Sequence, residues 1–417
     1  MRTSETAPPP SRRWSWILFA AVLVGLMTFV LSPKIQEKFG VADYGLWFLD
    51  SYAVLAASDT AAAGGNPDLP MRMDHMHRSH HYSDWWLGLR YLGVSRADNF
   101  LVGGSWVAAF LITACLFLRP ASARQTLWYL SLMLSPPILM AFTRANNDFV
   151  VFALLASAAI ALGRPTVPRL IFALAAVALA TGLKYYPVVA GVVFLLVRPK
   201  RRLTAMGLAA TVVLGLVLAD VAPSMIRRGY FYMPKTIGTF GAGMIFQYSK
   251  LNAREILLSS TVLIGVFALG LVKTGWLQIP TQEKRDRWQD EQAGFVFGAV
   301  VLVACFLAGL SFNYRCMFGL LLAPWLWRQA PVIPAARLAL WLTAAMLWCD
   351  GLYYITVNSL AGSISAEWDR PITHSWILVT QVLVWILMSM LAGWLLEFIF
   401  SAWETWRTDT KIRVQTA

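Results

Sequence analysis

Apolar runs close to the ~20 residues that a helix needs to cross a bilayer recur from one end of this chain to the other. They lie near 14–32, 101–118, 126–142, 148–163, 169–183, 187–198, 203–221, 256–273, 294–311, 316–328, 337–357 and 373–400. The 417 residues are 58% hydrophobic, against roughly 45–50% in soluble domains. The fold expected is all-α and polytopic, a single bundle of about 11–12 transmembrane or half-membrane helices with a helical, amphipathic loop on the outer face. Runs 169–183, 187–198 and 316–328 are short for a full crossing and also read as re-entrant half-helices.

Basic residues give the expected orientation. With the N-terminus inside, the inner loops collect Arg119 and Arg124, Arg164 and Arg169, Arg198 to Arg202, Lys273 to Arg287, and Arg328 with Arg337. The reading divides the chain into a disordered cytoplasmic tail (1–13), one membrane domain (14–400) with outer loops 33–100 and 222–255, and a cytoplasmic tail (401–417). The net charge of +13 is assigned to loops that meet anionic lipid and not to nucleic acid. Cys115, Cys305, Cys316 and Cys349 lie in or beside apolar runs and form no CxxC pair, so they read as small buried hydrophobes. The first run follows Arg12 and Arg13 without a small-residue cleavage site, as a retained span does.

Against this background a polar island, Asp43-Tyr44-Gly45-Leu46-Trp47-Phe48-Leu49-Asp50-Ser51-Tyr52, demands a reason. On a continuous helix, at ~100° per residue, Asp43, Trp47 and Asp50 share one face. A carboxylate at a membrane surface suits a general base acting on a hydroxyl. Asp59 would face the other way.

The outer turns add Thr143-Arg144-Ala145-Asn146-Asn147-Asp148, Leu183-Lys184-Tyr185-Tyr186-Pro187 and Ser311-Phe312-Asn313-Tyr314-Arg315. Arg144, Lys184 and Arg315 together would clamp a phosphate; singly, each reads equally as a cation snorkelling to headgroups. Asp148 is expected to pair with Arg144 one helical turn away, and Asn146 and Asn147 to cap the next helix. Asp220 and Asp350 default to buried or paired structural roles, with a proton relay as the lesser alternative. His75, His77, His80 and His81 crowd a short stretch, but their spacing matches no standard ligand pattern, so a solvated or acceptor-contacting loop is preferred to a metal site. No Walker loop, dinucleotide glycine fingerprint or GxSxG occurs.

In order and spacing these residues resemble the polyprenol-phosphate-mannose-dependent mannosyltransferases of glycosyltransferase family 87, in the GT-C superfamily. Asp50 opens a helix that runs through Tyr52 and Ala56-Ala57 to Gly64-Gly65-Asn66-Pro67; Asn147 heads a span; Lys184-Tyr185-Tyr186-Pro187 precedes a short run, and Asn313-Tyr314-Arg315 another. Asp68 stands where the family often carries an aromatic residue. The resemblance implies inverting transfer of mannose or a similar sugar from a polyprenyl-phosphate donor to a glycan or lipid hydroxyl at the outer face of a bacterial inner (plasma) membrane. It implies Asp50 as the catalytic base, and the reading of the polar island adds Asp43 as a second catalytic acid. Lys184, Arg144, Arg315 and Tyr314 would hold the donor phosphate, and Asn147, Tyr52, Tyr185 and His81 would contact substrate. No cofactor is expected, because Arg and Lys can neutralise the leaving group; a divalent metal stays an open alternative. Competing readings are a lipid-linked-sugar flippase, disfavoured by the missing internal repeat, and a polysaccharide polymerase or ligase using Arg227, Arg228, Lys235, Lys250 and Arg254.

Overall fold

The computed structural model describes residues 12–41, 45–164, 166–196, 201–228, 238–246, 249, 251–279, 290–309, 311–359 and 366–416. Among them the chain is an all-α, multi-pass membrane protein. Six helices are long and apolar enough to cross a bilayer, or seven if one bent pair is a single span. In chain order the helices are α1 (Arg12–Leu31), α2 (Pro33–Lys38), α3 (Leu49–Ala62), α4 (Asn99–Leu118), α5 (Ala123–Met133), α6 (Pro136–Arg144), α7 (Asp148–Leu162), α8 (Val167–Leu183), α9 (Val192–Leu196), α10 (Arg201–Arg228), α11 (Ala253–Lys273), α12 (Asp290–Ala308), α13 (Ala323–Gln329), α14 (Pro334–Ser359) and α15 (Ala366–Thr416).

Burial separates the centre of the bundle from its lipid-facing rim. α7 is buried along most of its length, as are α12 and the 3-10 turn Asn313–Leu321 beside it. In α1 and α11 only 22% and 17% of the apolar window is covered, so these two helices present their side chains to the bilayer. The core between them is aromatic: Phe295 packs on Trp325 with ring centroids 4.1 Å apart, and Phe110 stacks on Phe149 at 4.3 Å.

Three apolar runs are broken within their length, two of them (187–198 and 316–328) already too short for a full crossing. Run 126–142 becomes α5 and α6, bent by 54° at Leu134-Ser135, where Pro136 and Pro137 open α6 and cannot continue the previous helix. Gly351 of α14 accommodates that corner; a Cβ there would meet the Pro136 ring at 2.0 Å. Run 187–198 is a 3-10 turn, Tyr186–Gly191, leading into the short α9, and run 316–328 is the turn Asn313–Leu321 followed by α13.

Segment 45–98 folds over one end of the bundle. The expected amphipathic surface helix is α3, but it is not amphipathic: Leu49 to Ser58 are buried except Tyr52, because α3 lies between the bundle and the 3-10 turn Asp84–Leu92. Trp86 fixes that turn by donating to the Leu183 carbonyl (3.1 Å) and packing on Trp106 (4.8 Å). Trp85 covers Gly182 and donates to Asp220 (2.7 Å). At the other end, Arg119 pairs with Asp290 (2.9 Å) and Arg328 with Glu291 (3.2 Å). α15 continues helically through 401–416.

Candidate functional site

Asp50, Arg144, Lys184, Tyr314 and Arg315, far apart in sequence, meet under the 45–98 segment. Their partners differ from those expected. α6 ends at Arg144, and Ala145 takes a left-handed conformation (φ 42°) before α7 begins at Asp148. The helix is interrupted between residues 144 and 148, so the expected i,i+4 Arg144–Asp148 pair does not form. Arg144 turns to Asp50 instead and grips it through both oxygens, Nε to Oδ2 at 3.0 Å and a terminal nitrogen to Oδ1 at 2.8 Å.

Two more donors complete the Asp50 shell: Asn146 Nδ2 at 2.6 Å and Arg78 at 3.4 Å. Arg78 is itself held by Asp74 (2.9 Å) and donates to the Leu49 carbonyl (2.8 Å). Burial opposes ionisation of Asp50, yet the charge and hydrogen bonds of Arg144, with help from Arg78 and Asn146, hold its carboxyl below the ordinary value of 3.8. Asp74 is shifted the same way; burial again opposes, and bonds from Arg78 prevail.

The backbone around Asp50 is strained. Phe48, two residues before it, is left-handed (φ 63°), an uncommon state for a bulky side chain, and its N–H donates to the Thr143 carbonyl at 2.7 Å. This non-helical turn at 45–48 also ends the expectation that Asp43, Trp47 and Asp50 share a helix face, because the helix starts only at Leu49. Asp43 lies outside the described residues.

The second acid–cation pair lies beside the first. Lys184 follows the last residue of α8 and donates to Asp148 Oδ1 at 2.5 Å; Tyr186 donates to the same oxygen at 2.5 Å. Asp148 is wholly buried and Lys184 nearly so. Asp148 Oδ2 and both ends of the fully buried Asn147 amide have no hydrogen-bond partner among the described residues. Asn147 therefore does not cap α7 with its side chain; Asn146 Oδ1 accepts the Asp148 N–H instead (2.9 Å).

Aromatic rings join the two pairs. Lys184 Nζ lies 5.5 Å from the Tyr82 ring centre and 6.0 Å from that of Tyr314, while Arg144 lies over Phe312 (5.5 Å). Burial, then the charge of Asp50, raises the Tyr82 hydroxyl well above its ordinary range. Arg315 lies over Tyr186 at 5.0 Å, and its Nε is buried with no acceptor among the described residues. Four cations (Arg78, Arg144, Lys184, Arg315) thus meet three carboxylates (Asp50, Asp74, Asp148), with one positive charge in excess.

Other expected site residues lie elsewhere. Tyr52 is directed to Arg96, which is bound by Asp59 (2.7 Å). Tyr185 touches Tyr186 at 6.2 Å from the flank of the cluster. His81 engages Ser79 (3.2 Å) and buried His80 the Ser83 carbonyl (3.2 Å). Among the described residues no three His, Cys, Asp or Glu side chains converge as a metal would require. Lys235 and Lys250 of the polymerase reading lie outside the described residues. Sequence reasoning missed Arg78, Asn146, Tyr82 and Tyr186. An Asp74-x-x-x-Arg78 spacing within the histidine-rich stretch was the one available signal for Arg78.

Compared with known proteins, the chain matches no family model, no curated protein and no solved structure. The family 87 resemblance therefore stands on the order of the quoted residues alone.

Proposed function

We propose that this protein is an inverting membrane glycosyltransferase, moving a sugar from a polyprenyl-phosphate donor to a glycan or glycolipid hydroxyl, with the cluster described above as its active site on the outer face of a bacterial plasma membrane. The observation that carries the reading is the meeting of two buried acid–cation pairs, Asp50–Arg144 and Asp148–Lys184, around Tyr82 and Tyr314, with a surplus cation, Arg315, alongside. A surplus positive charge in a buried, poorly solvated cluster favours a bound phosphate.

In the reaction, the acceptor oxygen attacks the anomeric carbon from the face opposite the phosphate. Its proton passes to the Asp50 carboxylate, the new C–O bond forms, and the old bond's electron pair leaves with the polyprenyl phosphate. Asp50 as seen here is a weak base, because Arg144 occupies both of its oxygens. A donor phosphate competes for that guanidinium; its withdrawal from Asp50 raises the carboxylate's proton affinity as the leaving group gains a cation. Lys184 and Arg315 complete the phosphate's surroundings, and the buried Asn147, its amide uncommitted among the described residues, would meet sugar hydroxyls once the donor enters the cluster.

A flippase for a lipid-linked sugar is the second reading. It is favoured by the full pairing of Asp50 and Lys184, since ion pairs that exchange partners also suit alternating access. Asp50→Asn, assayed by mass spectrometry of envelope glycans and lipid-linked sugars, separates the two. Loss of product with normal protein level and a normal pool of donor on both leaflets supports transfer. Donor trapped on the inner leaflet supports transport, and unchanged product removes Asp50 as the base.

A further inference from the structure

Away from this cluster, a small cavity of about 20 Å³ lies between the turn at Gly238–Phe240, the start of the 313–321 turn, α14 and α15. That volume holds one water-sized occupant. Asp350 of α14 lines it, receiving Asn313 Nδ2 at 2.5 Å and the Gly238 N–H. Asp350 forms no ion pair among the described residues. A carboxylate within a span and without a cation is costly to keep charged.

Two further lining residues each carry an orphaned acceptor. Asn313 Oδ1 and Gln381 Oε1 are buried, on residues 7% and 4% exposed, and neither has a hydrogen-bond donor among the described residues. The Asn313 amide cannot simply be turned round, because its nitrogen is committed to Asp350. The residues lining this water-sized space thus carry one carboxylate and two orphaned amide oxygens, the ligand types a hard cation takes. A single negative charge is balanced by a single positive one; a divalent ion would leave net charge inside the bilayer.

We propose that Asp350, Asn313 and Gln381 bind a desolvated monovalent metal cation, sodium or potassium. The ion bridges α14 and α15 to the start of the turn that carries Tyr314 and Arg315, and so fixes that turn beneath the cluster. Asn313 is a positioning residue in this scheme: its backbone N–H also holds the Gly238 carbonyl (2.9 Å), pinning the short β1–β2 pair of 239–240 and 311–312.

The test is thermal denaturation of the purified full-length protein in detergent, in sodium, potassium or N-methylglucamine chloride at constant ionic strength. The wild type should show a saturable rise in Tm with one of the two metal ions, about 3 °C at 100-fold above Kd. Asp350→Asn should abolish the rise and Gln381→Leu should weaken it; the second variant decides the matter if the first does not fold. Selectivity for sodium or for potassium identifies the ion. Equal Tm values in all three salts overturn the proposal in favour of bound water. A Tm indifferent to the salts but raised by acid in the wild type, and not in Asp350→Asn, overturns it in favour of a proton. Neither outcome bears on sugar transfer, which this assay does not measure.

Discussion

Removing one member of the Asp148–Lys184 pair should be far more damaging than removing both charges. Lys184→Met leaves a fully buried carboxylate with the Tyr186 hydroxyl as its main support; Asp148→Asn leaves a buried ammonium without its counter-ion. Breaking a buried pair in this way costs about 3–5 kcal/mol, whereas replacing both charges is close to neutral. An unfolding entropy of roughly 2.1 cal/mol/K per residue, taken over 417 residues, gives about 0.9 kcal/mol per degree, so each single variant should lose about 3–6 °C in Tm. The double variant keeps an amide oxygen for Tyr186 and should return to within about 1–2 °C of wild type. Thermal denaturation in detergent and glycan analysis in cells would be run on the same four proteins. If Lys184 serves the phosphate, the double variant is stable and inactive. A double variant that regains product shows that the pair is only structural, and single variants with wild-type Tm refute the energetic reasoning itself.

Acid should act on the Asp50 shell. The folded carboxyls of Asp50 and Asp74 titrate below the ordinary value of 3.8. Their contribution to stability is therefore complete above that pH and is lost as pH falls through the lower folded values. Tm should show no dependence on these groups between pH 5 and 8 and fall below about pH 4, with a shallower fall in Asp50→Asn. Asn147→Leu removes no hydrogen bond made among the described residues and should hold or raise Tm, by up to about 1–3 kcal/mol of stability, while lowering sugar transfer; a sharp drop in Tm would show the amide is structurally engaged. Gly182→Ala puts a methyl 2.1 Å from the Trp85 ring, which should cost about 1–3 kcal/mol and expose the 84–92 turn to protease; unaltered proteolysis would refute the view that Trp85 anchors that turn.

Of the twelve apolar runs, six are helices long and apolar enough to cross, or seven with the bent pair, among the described residues; these were legible because hydropathy is a local property. Prolines act as locally, and the breaks at Pro187 and Pro324 fall where a missing N–H interrupts the helix, whereas the bend at Pro136 inside run 126–142 was not anticipated. The sequence also singled out Asp50, Arg144, Lys184, Tyr314 and Arg315, because charge and aromatic hydroxyls at the ends of apolar runs are costly without purpose. Which carboxylate holds which cation was beyond its reach. Spacing matched Arg144 to Asp148, but the left-handed turn at Ala145 cancels helical periodicity there and hands Arg144 to an acid 94 residues away. Burial of α3, the conversion of Asp50 from a free to a guarded base, and the Asp350 cavity are likewise decisions of tertiary packing. Each depends on which oxygens and nitrogens are brought within about 3 Å, a distance that no one-dimensional pattern encodes.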